Sequence, residues 1–138
     1  MPFVVDASLL AAWLLPDEAS EEAEALFVRL GEDHALAPDL LWHETRSLLL
    51  NAVRRKRVTA EHIPWALRRL EQLPIQNEGG GDNRDVLDLA QRHDLTPYDA
   101  VYLWLARSED LPLATFDRKM RKAAEAEGLA LLPAILPA

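Results

Sequence analysis

Six residues near the start of the chain, Phe3-Val4-Val5-Asp6-Ala7-Ser8, constrain the fold more than any other stretch. Three β-favouring apolar residues run directly into a carboxylate and then into two small residues. A short continuous apolar run bounded in this way suits a strand buried on both faces, at the centre of a parallel sheet. Asp6 then stands at the carboxyl end of the strand, where the reactive crevice of an open α/β sheet lies. Asp and Ser are also favoured helix caps, so capping of the next helix is a second role open to Asp6 and Ser8.

The rest of the chain alternates helices with short strands. Residues 7 to 15 are small and apolar and read as a buried helix stopped by Pro16. Asp17-Glu18 are expected to open a second helix, with Ala23, Leu26, Phe27 and Leu30 inward and Gly31 as its C-terminal cap. Ala35-Leu36-Ala37 reads as a strand punctuated by Pro38. A long helix runs from about Leu40 to Arg55. Thr59 is expected to cap the next helix, with Ile63, Ala66, Leu67 and Leu70 inward, before a weak edge strand at Leu73-Pro74-Ile75. The glycine-rich stretch from Asn77 to Asp82 lacks the Gly-Lys-Ser/Thr of a phosphate-binding loop and reads as a flexible surface loop. Helices at Asp85–His93, Thr96–Ser108 and Arg118–Glu127 alternate with strands at Leu113-Ala114-Thr115 and Leu129–Leu132. This order predicts an α/β fold, a mainly parallel sheet with helices on both faces. A chain of 138 residues is one domain of this kind, spanning 1–138.

Three further carboxylates stand out. Glu44 interrupts an apolar stripe, since its helical neighbours include Leu40, Leu41 and Leu48. Burial of an unpaired carboxylate is costly, so something must compensate it. Asp99 lies in Thr96-Pro97-Tyr98-Asp99, a helix start with Thr96 as cap and Pro97 at the first position. The helix that follows is apolar nearly all round, and its buried N-terminus favours a negative charge. Asp117 follows Leu113-Ala114-Thr115-Phe116 as Asp6 follows its own strand. Capping accounts for each residue singly, but jointly two carboxylates fall at strand ends and two on buried helix faces.

Carboxylates gathered at one sheet edge repel and raise one another's pKa values. A hard divalent cation removes that conflict. Mg²⁺ prefers oxygen ligands, keeps several waters and needs only one or two carboxylates directly. Such ions generate a nucleophilic hydroxide and stabilise the leaving oxygen in phosphodiester cleavage. His34, His43, His62 and His93 show no ligand spacing and are read as surface or interface residues. The four tryptophans, Trp13, Trp42, Trp65 and Trp104, are read as core or interface. The chain has no cysteine and a net charge of −8. The first excludes disulfides and thiolate metal sites, and the second argues against broad non-specific nucleic-acid binding. Local basic clusters at Arg54–Arg57 and Arg118–Lys122 could still meet phosphates, with Arg54, Arg55, Arg118, Lys119, Arg121 and Lys122 as candidate phosphate contacts. No apolar run reaches membrane-spanning length, and no signal-peptide pattern opens the chain, so a cytoplasmic protein without membrane partners is expected.

The segments VVDAS, PDLLWHETRSLLL, LTPYDAVYLWLA and LATFDRKMRKAA, in that order and spacing, resemble the PIN-domain ribonucleases, and among them the VapC-type toxins of toxin–antitoxin pairs. The resemblance covers nearly the whole chain. It implies a three-layer α/β/α sandwich and Mg²⁺- or Mn²⁺-dependent cleavage of RNA. It also implies a homodimer inhibited by a cognate VapB-type antitoxin. Asp6, Glu44, Asp99 and Asp117 match the family's acidic quartet, and Ser8 and Thr115 its small hydroxyl residues near the metal. Many relatives carry Asn where this chain has Ser47, which retains a shorter hydrogen-bonding group. The Gly79–Gly81 segment also departs from the family's usual link. Two rival readings are a catalytically silent binding module on the same fold and a phospho-acceptor receiver domain. The latter needs an acidic pair at the first strand and an aspartate ending a central strand, which Val5-Asp6-Ala7 and Ala37-Pro38 do not supply.

Overall fold

The computed structural model describes residues 1–138. In chain order the elements are β1 (Phe3–Val5), α1 (Ala7–Leu14), a 3-10 turn at Pro16–Glu18, α2 (Glu21–Leu30), β2 (Ala35–Ala37) and α3 (Leu40–Arg54). They continue with α4 (His62–Gln72), β3 (Ile75–Asn77), α5 (Asn83–His93), α6 (Pro97–Glu109), β4 (Leu113–Ala114), α7 (Arg118–Ala126) and β5 (Leu131–Leu132). The five strands form one sheet in the order β3-β2-β1-β4-β5, and every pairing is parallel. The apolar run at the start of the chain is therefore the middle strand, with all three of its residues buried. The flanking strands have registers Phe3 to Ala35 and Val4 to Leu113.

Helices cover both faces of the sheet, completing the expected three layers. On one side α1 packs against α2, α3 and α4. On the other α6 lies over β1 and β4 and is flanked by α5 and α7. The fully buried Leu9, Leu10, Leu41, Leu89, Leu103 and Leu105 join these layers to the sheet. The chain lays down β1, β2 and β3 on one side, then returns to place β4 and β5 on the other. Strand order thus reverses between β1 and β4, and a crevice opens at the carboxyl ends of those two strands.

Several boundaries differ from the sequence reading. Asp17 and Glu18 do not open α2. They lie in the 3-10 turn after Pro16, and α2 begins at Glu21 with the Ser20 hydroxyl accepting from the Ala23 N–H. Thr59 does not cap α4, which starts at His62 after Glu61, because the chain makes one more turn there. The edge strand lies at Ile75–Asn77, past Pro74, whose missing N–H does not suit the ladder. The last strand is confined to Leu131–Leu132. The glycine-rich stretch is not a free loop. The Asp39 N–H donates to the Gly79 carbonyl and the Glu78 N–H to that of Ala37. Gly81, at φ +85°, is wedged against Val101, Val86 and Trp104. His62 and His93 are half-buried and bond the Leu14 carbonyl and Glu127, tying elements together from within the chain.

Candidate active site

Asp6 leaves β1 at φ −108° and caps α1, so the capping role is real. Its Oδ1 accepts from the Ser8 N–H at 3.1 Å, the Ser8 hydroxyl at 2.6 Å and the Leu9 N–H at 3.3 Å. Its Oδ2 accepts from the Thr115 hydroxyl. Thr115 follows β4 and is fully buried. The Thr115 hydroxyl in turn accepts from the Asp117 N–H at 3.0 Å, and the Ser8 hydroxyl accepts from the Phe116 N–H at 2.9 Å. The two strand ends are thereby laced together through two hydroxyls. Asp6 is 5% exposed, and burial, with a smaller push from the Asp117 charge, raises its pKa to about 6. The bonds from Ser8, Thr115 and Leu9 oppose the shift without cancelling it.

Glu44 stands on α3, half-buried, and its Oε1 accepts from the Tyr102 hydroxyl at 2.6 Å. Burial and the Asp99 charge raise its pKa against that bond. Asp99 stands in the first turn of α6, whose cap Thr96 accepts from the Asp99 N–H at 3.1 Å. Burial and the Asp117 charge raise its pKa, while Thr96 and Lys119 act the other way. Asp117 caps α7 by accepting from the Met120 N–H at 3.0 Å and is exposed. Each carboxylate thus feels another: Asp6 and Asp99 feel Asp117, and Glu44 feels Asp99. Four elements bring these charges to one crevice.

Tyr102 is the residue that the sequence reading missed. It is 1% exposed, and burial together with the charges of Glu44, Asp6 and Asp99 pushes its hydroxyl far above the usual range. It stays protonated and can only donate to Glu44. The signal was its place one turn after Asp99 on a helix apolar nearly all round, which turns both residues to one face.

The other candidates divide. Ser47 is exposed one turn beyond Glu44. Arg118 and Lys119 are exposed at the start of α7, beside Asp117, and Lys122 is exposed one turn further on, near Arg92, His93 and Asp94. Arg121 is a correction: it is 7% exposed and donates to the carbonyls of Thr115 at 2.8 Å, Leu132, Pro133 and Ala134. It fastens the segment after β5 to the strand end that carries Thr115, and burial with both terminal nitrogens turned to carbonyls takes it out of the exposed basic face. Arg54 and Arg55 are exposed at the far end of α3, about 15 Å along the helix from Glu44. They do not lie beside the carboxylates. Arg57 is bound to Asp17 and Glu18.

The groups aimed into the crevice are hard oxygen donors, which suit Mg²⁺ and Mn²⁺ rather than softer metals. Glu44 Oε2 and Asp117 Oδ2 accept no hydrogen bond, and Asp6 Oδ2 accepts only one. No three His, Asp or Glu side chains converge closely enough to enclose a metal ion by themselves. Four direct carboxylate ligands are therefore not the arrangement found. Such a set suits a largely hydrated ion, with one or two carboxylates bonded directly and the rest bonded to its waters.

Residues 3–126 match the PIN domain family. The chain is 33% identical over 124 residues to "Ribonuclease VapC3" of Pyrobaculum aerophilum, covering 87% of this chain and 92% of that protein. It is 35% identical over 123 residues to "Ribonuclease VapC1" of Mycobacterium tuberculosis, covering 87% and 89%. The crystal structure of PAE2754 from Pyrobaculum aerophilum superposes with a TM-score of 0.73 over 95% of this chain and 89% of that one, at 22% identity, which supports the fold.

Proposed function

The chain belongs to the PIN-domain family, and from that premise we propose that it is a divalent-metal-dependent endoribonuclease, the toxin of a toxin–antitoxin pair. The observation that carries this reading is the convergence of Asp6, Glu44, Asp99 and Asp117 from four elements on the crevice between β1 and β4. Relatives named as ribonucleases, at 33% and 35% identity, point the same way.

Asp6, Glu44, Asp99 and Asp117 would hold a Mg²⁺ or Mn²⁺ ion directly or through its waters, and that ion would supply Lewis acidity for phosphodiester hydrolysis. The protein's own groups orient that chemistry. Ser8, Leu9 and Thr115 hold the Asp6 carboxylate in one orientation. Tyr102 aims Glu44. Glu44 and Asp99 bind protons more tightly than ordinary carboxylates, which suits them to receive the proton the attacking water loses. Arg118, Lys119 and Lys122 supply positive charge locally in a chain whose net charge is −8. The expected partners are the RNA substrate, a VapB-type antitoxin protein and a second copy of the chain. No helix is long and apolar enough to cross a membrane.

The test is RNA cleavage by the purified chain with Mg²⁺ or Mn²⁺ and with chelator. The Asp99→Asn variant keeps the side-chain shape and loses one charge, so it should fold normally while cleavage falls by orders of magnitude. Full cleavage by that variant, or cleavage indifferent to chelator, overturns the assignment. Absence of any RNA binding or cleavage by the folded wild type favours a silent binding module instead.

A further inference from the structure

Phe116 and Arg118 flank Asp117, and both line a cavity of about 410 Å³ that also touches Asp17, Glu18, Leu136 and Pro137. That volume falls within the range of small-ligand sites. The lining joins an aromatic ring and two apolar residues, a guanidinium, and a pair of carboxylates. A nucleotide presents the complements of the first two, a flat apolar base and a phosphate, while the carboxylates are already paired with Arg57.

The guanidinium is uncommitted. Asp17 and Glu18 bind Arg57 at 2.8 and 2.7 Å instead, Lys119 faces Asp94 at 3.6 Å, and Arg121 is turned to carbonyls. Arg118 is exposed, one residue beyond Asp117. The walls are also fixed before any ligand arrives. The Phe116 N–H is bonded to the Ser8 hydroxyl at 2.9 Å, which in turn bonds Asp6. Arg121 donates to the Pro133 carbonyl at 2.6 Å and to that of Ala134, holding the segment that leads to Leu136. The backbone at Phe116 is thus tied to the carboxylate crevice through two hydrogen bonds.

We infer that this cleft is a nucleotide subsite beside the scissile phosphate, with a base against Phe116, Leu136 and Pro137 and a phosphate on Arg118. The inference rests on the ribonuclease reading. It adds a reason for broad substrate use, since base stacking on one ring tolerates many sequences.

The test uses the full chain carrying Asp99→Asn, so that RNA binds without being cut. A short fluorescein-labelled single-stranded RNA is titrated by anisotropy in the presence of chelator. Phe116→Leu, which keeps an apolar side chain but removes the ring, should raise Kd about ten-fold. Phe116→Tyr should restore binding. Arg118→Ala, at an exposed position, should raise Kd and lower the salt slope by about one phosphate contact. RNA containing 4-thiouridine should crosslink to peptides that hold Phe116 or Leu136. Unchanged Kd and salt slope in both Phe116→Leu and Arg118→Ala overturn the subsite, as do crosslinks confined to other surfaces. Wild type that cleaves RNA while these variants bind it normally removes only the subsite. Wild type that neither binds nor cleaves RNA removes the reading beneath it.

Discussion

The Tyr102 hydroxyl and Glu44 form a pair in which only one partner can give a proton and only one can take it. The bond is 2.6 Å long, and the tyrosine is buried among the leucines of α6. Phenylalanine would fill the same space, so Tyr102→Phe should cost only about 1 kcal/mol of stability, the net worth of one such hydrogen bond. Glu44, half-exposed, would turn to water rather than remain stranded. Its aim would be lost instead. Partners behind a metal-binding group typically matter about 10- to 100-fold, so both Mn²⁺ affinity and kcat/KM should fall within that range in Tyr102→Phe. Calorimetric titration with Mn²⁺ and steady-state cleavage measure the two effects separately. A variant with wild-type Mn²⁺ affinity and wild-type kcat/KM would mean that the hydroxyl does not orient Glu44.

At the level of elements, the link between β3 and α5 has its path set by one glycine. A Cβ on Gly81 would stand 3.0 Å from Val101 Cγ2, 3.1 Å from Val86 Cγ2 and 3.3 Å from Trp104 Cε3, at φ +85°. Gly79, at φ +81°, has nothing within 4 Å of the same position. Gly79→Ala should therefore lose about 1 kcal/mol for its left-handed backbone alone. Gly81→Ala adds overpacking, for a total of about 3 kcal/mol. Urea melts of the two variants test this difference, and equal losses would mean that Gly81 is not packed beneath α5 and α6. The tight packing was not legible in the sequence, where three consecutive glycines read as freedom. What was legible followed from local patterning. Val4-Val5 before Asp6 marked a central strand, and Thr96-Pro97 marked the start of α6. Asp6, Glu44, Asp99 and Asp117 each broke a pattern that capping or solvation explained only one at a time. What escaped was decided by tertiary contact. Arg121 looks like its basic neighbours on α7, yet it alone faces the carbonyls beyond β5. Tyr102 looks like core until Glu44 is placed opposite it.

For the whole molecule, the crevice couples stability to pH and to metal. Asp6 titrates at about 6 when folded, raised from 3.8, with burial the largest cause. A carboxylate with a raised folded pKa binds more protons folded than unfolded across that interval. Its contribution to stability is fully present below the unfolded value and is lost as pH rises through the folded one. Metal-free protein should therefore lose up to about 3 kcal/mol from Asp6 between roughly pH 4 and pH 6. Glu44 and Asp99 shift in the same direction. Asp17, Asp33 and Glu61 have lowered values, so their contribution is lost only on further acidification. The metal-free optimum should thus lie in mildly acid solution. A cation that binds only the folded state adds stability set by its concentration relative to Kd. Protons compete for the same oxygens, so the gain from Mn²⁺ should grow from pH 5 to pH 7. Thermal melts with Mn²⁺ and with chelator across that range measure both slopes. Asp6→Asn should flatten the metal-free slope and shrink the Mn²⁺ gain, because the carboxylate responsible for both has lost its charge. An equal Mn²⁺ gain in wild type and Asp6→Asn would place the cation elsewhere on the chain, and the crevice would then owe its strained charges to something other than a metal.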